Sequence, residues 1–143
     1  MITVDANLLI YAYHSAAPGH RVARQWVEAS FSGNEPVRLA WTTIHAFLRI
    51  VTHPRIFQRP FAMEEAHSFV SEWFEQPAVG ILEPGERYWA IFSEAIESGQ
   101  VRGNLVMDAH LAALSIEHGA VLATTDRDFT RFDKLQTVNP LRQ

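Results

Sequence analysis

Residues 104–126, NLVMDAHLAALSIEHGAVLATTD, hold the pattern from which the fold can be read. Asn104 stands where a helix cap is favoured, the apolar residues that follow suit a helix, and Gly119 stands where a helix ends. Ala120–Ala123 is then a short, continuous apolar run, as expected of a strand buried on both faces. Thr124-Thr125-Asp126 closes it with an acid. Helix, tight turn, buried strand and acid together make half of an α/β unit.

The chain opens on the same theme. Ile2, Thr3 and Val4 form a short β run ending at Asp5, and residues 6–13, ANLLIYAY, read as a short helix. Pro18 is expected to open a longer helix through about Ser30, and the Gly33–Pro36 turn leads to a strand at Val37–Ala40. Thr42 or Thr43 is expected to cap a third helix, with Ile44, Phe47, Leu48 and Val51 at helical spacing, broken by the loop from His53 to Pro60. Met63–Glu75 is amphipathic, Val79–Leu82 is a third strand, and about Gly85–Ser98 is a further helix. Leu135–Val138 offers a fifth strand. Strands alternating with helices predict a parallel sheet covered on both faces, with its site at the carboxyl ends of the strands near the topological switch point.

The 143 residues match one domain, 48% apolar and 20% charged, a balance that supports a buried core and argues against intrinsic disorder. No apolar run approaches a membrane span, and Asp5 interrupts the start where a signal peptide stays apolar, so the expectation is a cytoplasmic protein. Without cysteine, thiolate metal sites and cysteine nucleophiles are excluded. A formal charge of −4 argues against nonspecific wrapping of nucleic acid, so such a partner needs a local basic patch. Eleven of the twelve basic residues are Arg, which suits bidentate contact with phosphate or carboxylate, although genomic base composition is the better account of the bias.

The geometric rule for parallel sheets can be applied to the acids. Asp5 follows the first strand and Asp126 the fourth, so both are expected on one sheet edge. Asp108 lies one turn into an apolar helix, where an unpaired buried charge is costly. Each acid has a plain structural reading too. Asp5 suits a helix cap, Asp126 an Asx turn with Asp128 capping a short helix, and Asp108 a helix-terminus charge or a partner for Arg49. Together, however, three converging carboxylates repel unless a cation lies between them. Oxygen ligands without cysteine favour Mg²⁺ or Mn²⁺ over zinc.

The segments VDANLLIYAY, FLRIVTHPRIF, RGNLVMDAHLAALSIEHGA and TTDRDFTRF, in this order and spacing, resemble those of PIN-domain ribonucleases, and among them VapC-type toxins of bacterial toxin–antitoxin pairs. The resemblance covers nearly the whole chain. It implies a single PIN domain over residues 1–143, a PIN-like three-layer α/β/α sandwich with a five-stranded parallel sheet. It also implies Mg²⁺-dependent endonucleolytic cleavage of RNA, with Mn²⁺ as a possible substitute, leaving a 5′-phosphate and a 3′-hydroxyl. The implied partners are a cognate VapB-like antitoxin, the RNA substrate and a second copy of the chain in a homodimer. Asp5, Asp108 and Asp126 match the family's catalytic, metal-holding acids.

One position departs from the family pattern. Many relatives carry a glutamate on the third helix where this chain has Ala46, so the site is expected to accept one cation more readily than two. Thr42, Ala46 and Arg49 share a helix face, which would bring the Arg49 charge toward the site. Asn7 suits helix capping, or a hydrogen bond to a carboxylate or a metal-held water. The seven histidines form no metal motif, His110 and His118 included, and no serine sits in a nucleophile elbow. Aromatic residues are mainly core, with Trp73 and Phe74 the candidates for a dimer or antitoxin surface. The rival reading is a noncatalytic PIN-like RNA- or protein-binding module that lost its metal together with the third-helix acid.

Overall fold

Five short parallel strands carry the fold, and their order explains where the acids meet. The computed structural model describes residues 1–142. The strands are β1 (Ile2–Val4), β2 (Val37–Leu39), β3 (Val79–Ile81), β4 (Val121–Ala123) and β5 (Thr137–Val138), ordered β3-β2-β1-β4-β5. The chain therefore builds outward from β1 through β2 to β3, then returns to the opposite side of β1 with β4. The switch point lies between β1 and β4, which pair Ile2 with Val121, Thr3 with Leu122 and Val4 with Ala123.

Six helices cover the sheet: α1 (Ala6–Tyr13), α2 (His20–Phe31), α3 (Trp41–Val51), α4 (Met63–Glu75), α5 (Tyr88–Ser98) and α6 (Leu105–His118). Alternation along the strands divides the core in two. Val4, Val37, Leu39 and Ala123 pack against Leu8, Leu9, Val27, Phe47 and Trp73 of α1 to α4. On the other face, Leu122 joins Ala95 of α5, Ala109, Ala112 and Leu114 of α6, and Phe129 and Phe132. The result is the three-layer α/β/α sandwich that the alternation implied.

Several element starts differ from the sequence reading. α3 begins at Trp41 with the fully buried Ala40 at its cap, and Thr43 is an interior, buried residue. The strand end delivers the chain directly into the helix, and Thr43 N–H donates to the Ala40 carbonyl without help from a hydroxyl. Pro18 precedes a left-handed Gly19 (φ 75°), so α2 starts only at His20, whose Nδ1 lies 2.7 Å from the Tyr11 carbonyl oxygen. Asn104 has helical dihedrals and makes no side-chain cap. The helix expected from Gly85 starts at Tyr88, because the amides of Gly85 and Arg87 donate to the Glu117 carboxylate at 2.8 and 3.0 Å. Gly85 allows that contact, since a Cβ there would stand 2.6 Å from Glu117 Oε2. Gly119 does end α6, in the left-handed region at φ 66°. Trp73 is buried and its Nε1–H donates to Tyr13 Oη at 2.7 Å, so of the two proposed surface aromatics only Phe74 is exposed.

After β4 a 3₁₀ turn, Arg127–Arg131, rests on the buried Phe129. Phe129→Ala is expected to destabilise the protein by about 3–5 kcal/mol, the usual cost of a large cavity at an aromatic core site. Chemical denaturation checks this: a loss below about 1 kcal/mol would show that the turn is not anchored by that ring.

Candidate metal centre

The site grows from three pieces of chain that the topology brings to one edge. The first is the end of β1, where Asp5 takes the N-cap position of α1 with extended dihedrals. Its carboxylate makes no side-chain cap bond and instead accepts the Thr124 hydroxyl hydrogen at 2.8 Å. The second is the end of β4. Thr124 Oγ1 accepts the Asp126 amide at 3.0 Å, and Asp126 Oδ1 accepts the Asp128 amide at 2.8 Å. The third is the first turn of α6, which presents Asp108 from the opposite layer.

Asp108, Asp126 and Asp128 each offer a carboxylate oxygen, and these atoms all lie within 4.8 Å of one another. Asp108 and Asp126 are therefore brought together as their positions in the sequence implied. Asp5 lies behind them, outside that trio of oxygens but close enough for its charge to act on Asp108. Asp128, expected to cap a short helix, joins the trio instead; Asp126 takes the capping role through its own Asx turn. Sequence reasoning also missed Thr124. The signal was present, since a threonine one residue past a buried strand has a hydroxyl that must find a partner.

The electrostatics follow from burial and crowding. Burial, followed by the charges of Asp126, Asp5 and Asp128, pushes the Asp108 carboxyl up to about 6, while Arg131 pulls it down. Burial also raises the Asp5 carboxyl, opposed by the Thr124 hydroxyl and reinforced by Asp126. Among the described residues the ion pairs are the N-terminus with Glu35, Arg24 with Glu28 and Lys134 with Glu94. The clustered aspartates thus make no direct ion pair with a cationic side chain. The pairing suggested between Asp108 and Arg49 does not form: Arg49 is exposed on α3, and Arg131 is the cation acting on Asp108. Asn7 sits inside the first turn of α1, so it caps nothing, and its backbone amide rather than its side chain reaches toward Asp5. Ala46 is half-buried on α3 and contributes no acid. His110 and His118 have local partners, Tyr88 Oη and the Glu83 carbonyl.

An all-oxygen set of crowded carboxylates fits a hard divalent cation, whose charge would remove the repulsion that raises Asp108. Three-layer sheet, switch-point acids and this donor set define the class. The PIN domain profile matches residues 2–135, and the chain belongs to the PIN domain family. It is 35% identical over 140 residues to ribonuclease VapC37 of Mycobacterium tuberculosis, covering 98% of this chain and 97% of the relative. Its fold is that of a chain in the structure of FitAB bound to an IR36 DNA fragment, with TM-score 0.72, 18% identity and coverage of 100% and 97%. It is also that of a chain in a toxin–antitoxin complex from Klebsiella pneumoniae, with TM-score 0.64, 15% identity and 98% of both chains covered.

Two outcomes test the site without any activity assay. In metal-free buffer the raised Asp108 carboxyl costs stability only where the unfolded chain is ionised, so stability falls as pH rises from about 4 to about 6 and the cost persists above. Asp108→Asn should therefore raise the melting temperature at pH 7 and leave it nearly unchanged near pH 4; equal shifts at both would refute the crowding. Thr124→Val, which keeps shape but leaves Asp5 and the Asp126 amide without their hydroxyl, should cost about 1–3 kcal/mol in denaturant titration.

Proposed function

We propose that this chain is a Mg²⁺-dependent endoribonuclease, one PIN domain over residues 1–143, acting in the cytoplasm as the toxin of a toxin–antitoxin pair. The observation that carries the reading is the trio of carboxylate oxygens of Asp108, Asp126 and Asp128, with Asp5 behind it, at the switch point of the sheet. Membership of a family whose relatives include VapC ribonucleases supports RNA as substrate. Solved toxin–antitoxin complexes with the same fold support a VapB-like antitoxin as partner. Exposed Trp89, Val106 and Met107 supply apolar surface for a second copy of the chain.

In this reading Asp108 and Asp126 would hold the cation, Asp5 would complete the negative field beside them, and Thr124 fixes Asp5 relative to Asp126. Asp128 adds a carboxylate from the turn after β4, so the set does not depend on the acid that Ala46 replaces. When bound, Mg²⁺ or Mn²⁺ supplies Lewis acidity for hydrolysis of a phosphodiester to a 5′-phosphate and a 3′-hydroxyl. An antitoxin arginine placed among Asp5, Asp108 and Asp126 would match the carboxylates bidentately and compete with the cation.

The decisive experiment pairs cleavage with binding. Asp108→Asn should lower RNA cleavage by more than about 100-fold, and Asp5→Asn by about 10–100-fold, the usual loss for a residue that supports the ligands. Their circular dichroism should stay native. Millimolar Mn²⁺ should raise the wild-type melting temperature by mass action and leave Asp108→Asn almost unmoved. Native cleavage rates in both variants would overturn the assignment. A melting temperature indifferent to the cation, with no cleavage of RNA, would select the noncatalytic binding module. Inhibition by the antitoxin should weaken as metal concentration rises; inhibition insensitive to metal would place the block elsewhere on the RNA path.

A further inference from the structure

Arg131 ends the 3₁₀ turn that starts beside Asp126, and its guanidinium is held in place by backbone alone. Nη1–H donates to the Gly99 carbonyl at 2.8 Å and Nε–H to the Asp128 carbonyl at 3.2 Å. The first bond crosses to the loop between α5 and α6, and the second ties the group to the residue that carries one of the clustered carboxylates. Close approach to that loop is helped by Gly99, where a Cβ would stand 3.0 Å from the Phe132 ring. The side chain is half-buried, and its two bonds fix the guanidinium plane.

Two carbonyl oxygens orient a guanidinium without neutralising it. Among the described residues Arg131 makes no ion pair, although its charge acts on Asp108 and its Nε–H is bonded to the Asp128 backbone. Of its five N–H groups, two are used. A fixed positive charge beside a divalent-cation site, held by carbonyls rather than by a direct ion pair, repels the cation, so it does not serve metal binding. It suits an anion lying against that site, and guanidinium is matched to phosphate oxygens.

We propose that Arg131 is a substrate contact: its unused N–H groups grip a backbone phosphate of the RNA next to the aspartate cluster. The proposal rests on the ribonuclease reading and adds to it the residue that receives the phosphate. It also separates Arg131 from a strut, because the two roles move metal affinity and RNA affinity differently. A strut that held Asp126 and Asp128 in place would lose metal affinity when removed. A phosphate contact would lose RNA affinity, while metal affinity stayed level or rose with the repulsion gone.

The test measures both affinities on wild type, Arg131→Gln and Arg131→Lys. Anisotropy of a labelled single-stranded 20-mer RNA is followed across a salt series, and Mn²⁺ is titrated calorimetrically without RNA. The glutamine variant should bind RNA about tenfold or more weakly, the loss expected of a charge-assisted contact. The slope of log K against log salt should become shallower by about 0.7, one phosphate's worth on a single strand. Its Mn²⁺ affinity should be equal to wild type or tighter. The lysine variant should keep the salt slope and lose a few-fold in RNA affinity, since it retains the charge without the fork. Unchanged RNA binding in the glutamine variant, or weaker Mn²⁺ binding with RNA affinity intact, overturns the proposal and leaves the ribonuclease reading standing. Absence of RNA binding by wild type at every salt overturns that reading, and the proposal with it. Should the glutamine variant fail to fold, the lysine variant decides: RNA affinity equal to wild type overturns the contact.

Discussion

Parallel pairing of β1 with β4 is the constraint on which the site depends. It sets Val4 beside Ala123, so Asp5 and Thr124 leave the sheet side by side although 119 positions separate them in the chain. The Thr124 hydroxyl then joins the two strand ends, giving its hydrogen to Asp5 and accepting the Asp126 amide. Pairing strands so distant in sequence costs chain entropy, and the two apolar clusters on either face of the sheet supply the offset.

Gathering acids at that edge works against the fold. Burial and mutual repulsion raise Asp108 and Asp5, and no cationic side chain among the described residues pairs with the cluster. Such local strain, held by well-packed surroundings, is typical of functional sites. The surroundings here are Phe129 under the 3₁₀ turn, the small residues Ala109 and Ala112 that let α6 lie close against the sheet side, and Glu117 clasping the loop before α5. Each lies outside the carboxylate cluster, yet together they hold the three pieces of chain that present the acids.

Much of the fold was legible in the sequence because its signals are local. Short apolar runs bounded by acids, Gly or Pro marked the strands, and helical spacing marked α3, α4 and α6. Helix starts were read less well, and the reason is tertiary. Thr42 and Asn104 are good caps in isolation, but β2 feeds α3 directly, and Asn104 has helical dihedrals with its side chain uncommitted. Gly85 fits a helix by local pattern, but its amide donates to a carboxylate 32 residues away. Trp73 looked like surplus apolar surface, yet Tyr13 from α1 accepts its indole N–H and permits its burial.

By itself the sequence determined the alternating α/β plan and the identity of three acids placed to converge, since strand ends and helix turns are set by patterns a few residues long. Only the tertiary structure decided how those acids are arranged. It put Asp128 in the carboxylate trio, turned Asp5 toward Thr124, left Arg49 exposed and brought Arg131 to the cluster. Those outcomes hang on the order β3-β2-β1-β4-β5 and on the layer opposite. Charges interact through space across contacts that no local pattern encodes, so their partners emerge only when the sheet closes.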